Sequence, residues 1–193
     1  MADRGDILRS VAAVAATGDA RATRELLVAL APRVLRAARG VLGPEHADVE
    51  DAAQEALMAI VRALPAFRGE SSVGHYASRI AVRTCLAARA RGDERRRREG
   101  AAADAVRSAP AEHEGTTSAR RQAMIRELLL ELPVEQAEAL ALRVVLGLSM
   151  AEVAEAEQAP VNTVRSRLRL AKEALRRRIE GDPSLAELLE VGS

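Results

Sequence analysis

The chain has 193 residues, a formal net charge of +1, 30% charged and 48% hydrophobic residues, and almost no aromatics: Phe67, Tyr76 and no Trp. The length allows one or two small domains, and an Ala-, Leu-, Arg- and Glu-rich composition without period-two alternation predicts an all-α fold. Cys85 is the lone cysteine, which excludes an intrachain disulfide and suits a cytoplasmic protein, and no segment reaches the roughly 20 apolar residues of a membrane helix.

In chain order, residues 1–17 predict a loose helix broken by Gly18-Asp19. From Thr23 to Leu42 the apolar residues Leu26, Leu30, Val34, Leu35, Ala38 and Val41 share one side, and Pro32 is expected to kink this stretch or start a new helix. Gly43-Pro44 closes it. The next helix carries Val49, Ala53, Ala56, Leu57, Ile60 and Leu64 as an apolar stripe, with Asp48, Asp51, Glu55 and Arg62 on the opposite face. After the loop Pro65–Gly69, Ser72 is the expected N-cap of a third helix running to about Ala90, with Arg79 and Arg83 one turn apart on its polar side. Residues 92–119 have low hydrophobicity and no period, which predicts a flexible linker. Periodicity returns with Met124, Leu128 and Leu132 before Pro133, then a helix over Glu135–Leu146 ended by Gly147.

The segment from Ser149 is the most specific. Ser149-Met150-Ala151-Glu152 matches a capping box, Ala159-Pro160 makes a short break, and a long basic helix follows from about Asn162. This is the layout of a helix-turn-helix. Val164, Leu168, Ala171, Leu175 and Ile179 form the stripe that must be buried. Asn162, Ser166, Arg169 and Glu173 fall opposite, flanked by Thr163, Arg165 and Arg167. Residues 165–178 hold seven bases and one acid, a local charge of +6, so binding to DNA should be strongly salt-dependent.

Pro160-Val161-Asn162-Thr163-Val164-Arg165-Ser166-Arg167-Leu168 resembles the recognition-helix signature of bacterial RNA polymerase sigma factors. Leu132-Pro133, Gly147-Leu148-Ser149 and Glu152-Val153-Ala154 resemble the rest of that family's region 4. Asp48–Glu55, Phe67–Ser72 and Arg79-Ile80-Ala81 resemble region 2. Both matches in the family's order, with little else, resemble the extracytoplasmic-function (ECF) class. The resemblance implies two helical domains on a flexible linker: region 2 over 18–91, linker 92–121, region 4 over 122–179, and a short tail 180–193. It implies a factor that directs RNA polymerase core to promoters and supports transcription initiation. The alternatives are a stand-alone helix-turn-helix regulator and a helical adaptor that forms no holoenzyme.

By the same resemblance, Asp48, Asp51, Gln54 and Glu55 would dock on a basic coiled coil of the polymerase largest subunit, and region 4 would meet its flap. Asn162, Thr163, Arg165, Ser166, Arg167 and Arg169 would read the duplex upstream element. Phe67, Arg68, Ser71, Tyr76, Arg79 and Arg83 would hold the opened downstream strand. This chain departs from the family there: Tyr76 replaces the usual Trp, Val73 a frequent aromatic, and Leu57 and Val61 a Phe and a Trp. Phe67 and Tyr76 also read as plain core residues, the reading the residues themselves favour. Asn162 stands where Gly is usual and is read as an N-cap, and Ala137 stands where Arg is frequent. An anti-sigma partner is expected by analogy. His46, His75 and His113 have no metal-ligand spacing with Cys85, and no phosphate loop or nucleophile elbow occurs, so no catalytic residue, metal or cofactor is expected.

Overall fold

A computed structural model describes residues 4–102 and 117–180. Among these residues every regular element is helical. α1 (Arg4–Ala16) is not loose as expected: Ala12 and Ala15 are buried against the core. Gly18 adopts φ +91° and Asp19 caps α2 (Ala20–Leu42), its carboxylate accepting from the Ala22 N–H at 2.7 Å. α2 therefore begins three residues before the apolar pattern does.

Pro32 starts no new helix, and α2 runs unbroken through it. Its ring leaves the Val28 carbonyl without a helical donor, but Val28 is 70% exposed, so water can serve that group. Leu26, Leu30, Val34, Ala37 and Val41 face inward, and each fully buried Leu contributes about 1.5–3 kcal/mol. Gly43 ends the helix at φ +115°, which a side-chain-bearing residue rarely adopts.

α3 (Val49–Ala63) buries Val49, Ala52, Ala56 and Ile60 between α2 and α4, and a 3-10 turn follows at Leu64–Ala66. Ser72 caps α4 as expected, its hydroxyl accepting from the His75 N–H at 3.1 Å. α4 (Val73–Ala102) continues 12 residues beyond the expected end near Ala90, into the segment read as linker. Leu86 and Ala88 pack on the core, and ion pairs Asp93–Arg96 and Glu94–Arg98 lie along the extension. Such pairs each add about 0.2–0.5 kcal/mol to a helix that its low hydrophobicity does not favour. Cys85 sits in this helix with no exposure, and burial, reinforced by Glu55, pushes its thiol up to about 12.

The second half comprises α5 (Thr117–Glu131), α6 (Val134–Val144), α7 (Met150–Glu157) and α8 (Val161–Glu180). α6 is buried on every side over Ala137–Leu142, so it must be central. It packs on α7 and α8 and also on α4 of the first half. One hydrophobic cluster consequently runs from Leu26 and Ile60 through Leu128 and Leu142 to Val164 and Leu168. At Gly40 the halves approach so closely that an added Cβ would lie 2.0 Å from Val145 Cγ1. The described part of the tail ends at Glu180, and Gly181-Asp182-Pro183 lies outside the described residues.

Candidate nucleic-acid interface

The capping box at α7 is complete: Glu152 N–H donates to Ser149 Oγ at 3.2 Å, and Ser149 N–H to Glu152 Oε2 at 2.7 Å. Gln158 ends α7 in the left-handed region at φ 52°, turning the chain into α8. α8 begins at Val161, with Pro160 supplying the carbonyl that the Thr163 and Val164 N–H groups donate to. Asn162 is therefore inside the helix and not its N-cap. Its Oδ1 accepts from Arg165 Nη1 at 2.6 Å instead.

Val164, Leu168, Ala171 and Ile179 are buried, and Leu175 is half-buried, so the expected apolar stripe holds α8 down. Asn162, Thr163, Arg165, Ser166 and Arg169 are all exposed on the other side. Arg165, Arg169, Lys172 and Arg176 line one open groove along α8, and Arg169 pairs with Glu173 at 2.5 Å. An exposed helix bearing guanidiniums and short polar groups fits a major groove and its phosphates.

Arg167 departs from expectation. Its Nη1 lies 2.6 Å from Glu157 Oε2, and Glu157 is buried. Arg167 thus clamps α8 to α7 inside the helix-turn-helix and does not face outward with its neighbours. Burial raises the Glu157 carboxyl above its ordinary value, with Arg167 pulling the other way, and its Oε1 has no partner.

The structure brings most of the expected downstream-strand residues together on the loop after α3 and the start of α4, but not as an open face. Arg68 is exposed. Phe67 and Tyr76 stack on each other with centroids 4.8 Å apart, and Tyr76 OH donates to the Ala63 carbonyl at 3.1 Å. Both rings are half-buried. Ser71 is buried. Arg79 and Arg83 are engaged by the second half: their Nε atoms lie 3.7 and 3.5 Å from the buried Glu138 carboxylate of α6. Burial pushes Glu138 up in pKa, and the two arginines oppose that without overcoming it.

On the acidic face, Asp51 and Gln54 are exposed. Glu55 pairs with Arg91 at 2.7 Å, and Asp48 with Arg95 at 3.9 Å, both partners lying on the extension of α4. Sequence reasoning passed over Glu138, His75, Arg91 and Glu157. A charged residue inside the apolar stretch Ala137–Leu142 was the one available signal for Glu138; the others have partners 10 to 80 residues away and leave no periodic trace.

A two-part helical protein with a cationic helix-turn-helix is a DNA-binding architecture. Residues 26–97 match the family Sigma-70 region 2, and residues 122–175 match Sigma-70, region 4. The chain is 32% identical over 170 residues to the ECF RNA polymerase sigma factor SigD of Mycobacterium tuberculosis, covering 86% of this chain and 80% of that one. It is 34% identical over 147 residues to the ECF RNA polymerase sigma-E factor of Escherichia coli K12, covering 69% and 74%. The solved structure of CnrH in complex with the cytosolic domain of CnrY shares the fold, with a TM-score of 0.55 at 24% identity over 90% of this chain and 97% of that one. The sigma factor RpoE in complex with the anti-sigma factor NepR from Bartonella quintana superposes with a TM-score of 0.51 at 22% identity, covering 88% and 98%. The chain belongs to the ECF RNA polymerase sigma factors, and it is a factor of DNA-templated transcription initiation.

Proposed function

We propose that this chain joins RNA polymerase core through Asp48, Asp51, Gln54 and Glu55 on α3, and that α8 then enters the major groove of an upstream promoter element. Asn162, Thr163, Arg165, Ser166 and Arg169 would make the groove contacts, with Arg167 holding the helix in place from behind. Phe67, Arg68, Tyr76, Arg79 and Arg83, supported by buried Ser71, would hold the downstream strand once the duplex opens. With Phe67 and Tyr76 as its only aromatics, the chain offers little stacking for melted bases, so melting would rely more on its arginines. The observation that carries the reading is α8: one stripe buried, the opposite stripe polar, cationic and open.

On this reading the first half, 18–91, is the polymerase and downstream-strand unit, and 122–179 is the upstream-element unit, with 92–121 between them and a tail at 180–193. The protein acts by binding and not by catalysis, in the cytoplasm where polymerase works. No helix among the described residues is long and apolar enough to cross a membrane. A partner that sequesters the factor is supported by two similar folds solved with bound partners, one of them named an anti-sigma factor. The test is transcription by core polymerase, with and without the chain, on genomic templates. Promoter-specific transcripts that appear only with the chain are the expected result; their absence on every template defeats the reading.

A further inference from the structure

Away from α8 and from the loop before α4, a cleft of about 520 Å³ lies between α2, α5 and the end of α6. Its charged groups are Arg36 and Arg39 from α2 and Arg126 from α5, and no acidic side chain among the described residues lines it. The walls are aliphatic. Leu35, Ile125 and Val145 are half-buried there, and Val144 is left 47% exposed.

Arg126 is the unusual member. It is half-buried beside the C-terminal end of α2, its Nε 3.7 Å from where a Cβ on Gly43 would stand. Burial pulls its guanidinium below the ordinary value, and Glu127, which opposes that, is itself paired with Arg178 at 2.8 Å. Among the described residues Arg126, Arg36 and Arg39 have no hydrogen-bond or ion-pair partner. Three guanidiniums in one cleft repel one another, and a half-buried one is costly until an acceptor reaches it.

Such a lining suits a molecule with an anionic head and an aliphatic body. Guanidiniums pair with carboxylate or phosphate oxygens two at a time, and the volume falls in the small-molecule range of about 300–1,000 Å³. The chain's two aromatic rings, Phe67 and Tyr76, are stacked on each other elsewhere, so the cleft offers no platform for a nucleotide base. We infer that this cleft binds a single-chain anionic amphiphile, a medium-chain aliphatic carboxylate or phosphate monoester, with Arg126, Arg36 and Arg39 on its head and Leu35, Ile125, Val144 and Val145 along its chain. Bound there, the ligand stabilises the folded protein by mass action. None of these residues belongs to the surfaces proposed above for polymerase or DNA, so ligand binding and transcription can fail separately.

The test titrates the full chain by calorimetry with decanoate and with decyl phosphate, each below its micelle-forming concentration. The methyl resonances of Ile125 and Ile7 are followed in parallel. The expected result is saturable one-to-one binding, a raised melting temperature, and a shift of the Ile125 methyl while that of Ile7, exposed on α1, stays in place. The tighter of the two ligands identifies the head group. Arg126→Met keeps an apolar stem and should weaken binding about tenfold or more. Arg36→Ala with Arg39→Ala, both exposed, is the second variant and should do the same. It is read against Arg21→Ala with Arg24→Ala, which removes the same charge from α2 outside the cleft and should leave binding unchanged. Decyltrimethylammonium isolates the head charge, and inorganic phosphate isolates the chain; both should bind about tenfold more weakly or worse. Uptake that does not saturate, equal binding of the cation or of inorganic phosphate, an unmoved Ile125 methyl, or full affinity in the folded cleft variants each overturns the inference.

Discussion

The two halves of this molecule present their functional groups in opposite ways. In the second half, α8 keeps Asn162, Thr163, Arg165, Ser166 and Arg169 in solvent, and their bonds are short-range, Arg165 to the Asn162 amide and Arg169 to Glu173 on the same helix. In the first half four of the six candidate charges are tied to a partner far away in sequence, Arg79 and Arg83 to Glu138, Glu55 to Arg91 and Asp48 to Arg95, while Asp51 and Arg68 stay exposed. A groove-reading helix needs only to be held from behind, so it can stay open without exposing apolar surface. The surface proposed to hold an opened strand must offer cations and aromatic rings, and here Arg79 and Arg83 have Glu138 as an intramolecular partner while Phe67 and Tyr76 stack on each other. The same charge-assisted chemistry therefore appears ready in one half and occupied in the other.

The largest effect should come from the open half. Arg165→Glu with Arg169→Glu removes the two cations proposed to face bases or phosphates, each contact worth about 1–3 kcal/mol, so promoter-specific transcription should fall about a hundredfold or more. Melting temperature should stay nearly unchanged, since both residues are exposed. Retained activity would erase the contrast between the halves.

Packing gives the next largest effect. Leu142 is fully buried in α6, where the cluster shared by both halves passes, and Leu142→Ala should cost about 2–5 kcal/mol. Because the core is continuous, urea unfolding should stay a single transition at a lower midpoint. Two separated transitions would mean that the halves unfold independently.

Asp51 is the exposed carboxylate of the acidic face, and Asp51→Arg should weaken capture by core polymerase about tenfold, mostly through association rate and most visibly at low salt. Glu55→Gln should do less, because Glu55 already spends its charge on Arg91.

The smallest effect concerns Glu138. Its carboxyl is raised by burial, so it binds a proton more readily folded than unfolded. Its contribution is fully present below the ordinary carboxylate range and is lost as pH rises through the higher folded value; at neutral pH the charge costs stability. Glu138→Gln should leave the unfolding free energy at pH 7 unchanged or raised by no more than about 1 kcal/mol, and should flatten the gain expected on acidification. A clear loss at pH 7 would show the ion pairs outweighing desolvation.

Much of this was legible in the chain itself. The α7 capping box, the buried stripe from Val164 to Ile179 and the Ser72 cap depend on residues three or four positions apart, and local spacing records such relations directly. The errors have local causes too. Pro32 is read as kinking its stretch or starting a new helix, yet it starts none, because the Val28 carbonyl it strands belongs to an exposed residue that water can reach. Asn162 was read as a cap, but Pro160 already supplies the first helical carbonyl, leaving the amide to Arg165. The arginine-rich stretch after Ala90 was read as linker, although pairs such as Glu94–Arg98 keep it helical.

The sequence by itself determined the helices, their buried stripes and the cationic face of α8, because each of these follows from the 3.6-residue period of one segment. Only the tertiary structure decided which charges are open. It turned Arg167 inward to Glu157, set Glu138 between Arg79 and Arg83, and placed Glu155 on His75 and the Ser72 N–H. Those pairings join residues 10 to 83 positions apart. Which of many exposed-looking charges meet is fixed by how helices cross, and no single segment's period carries that information.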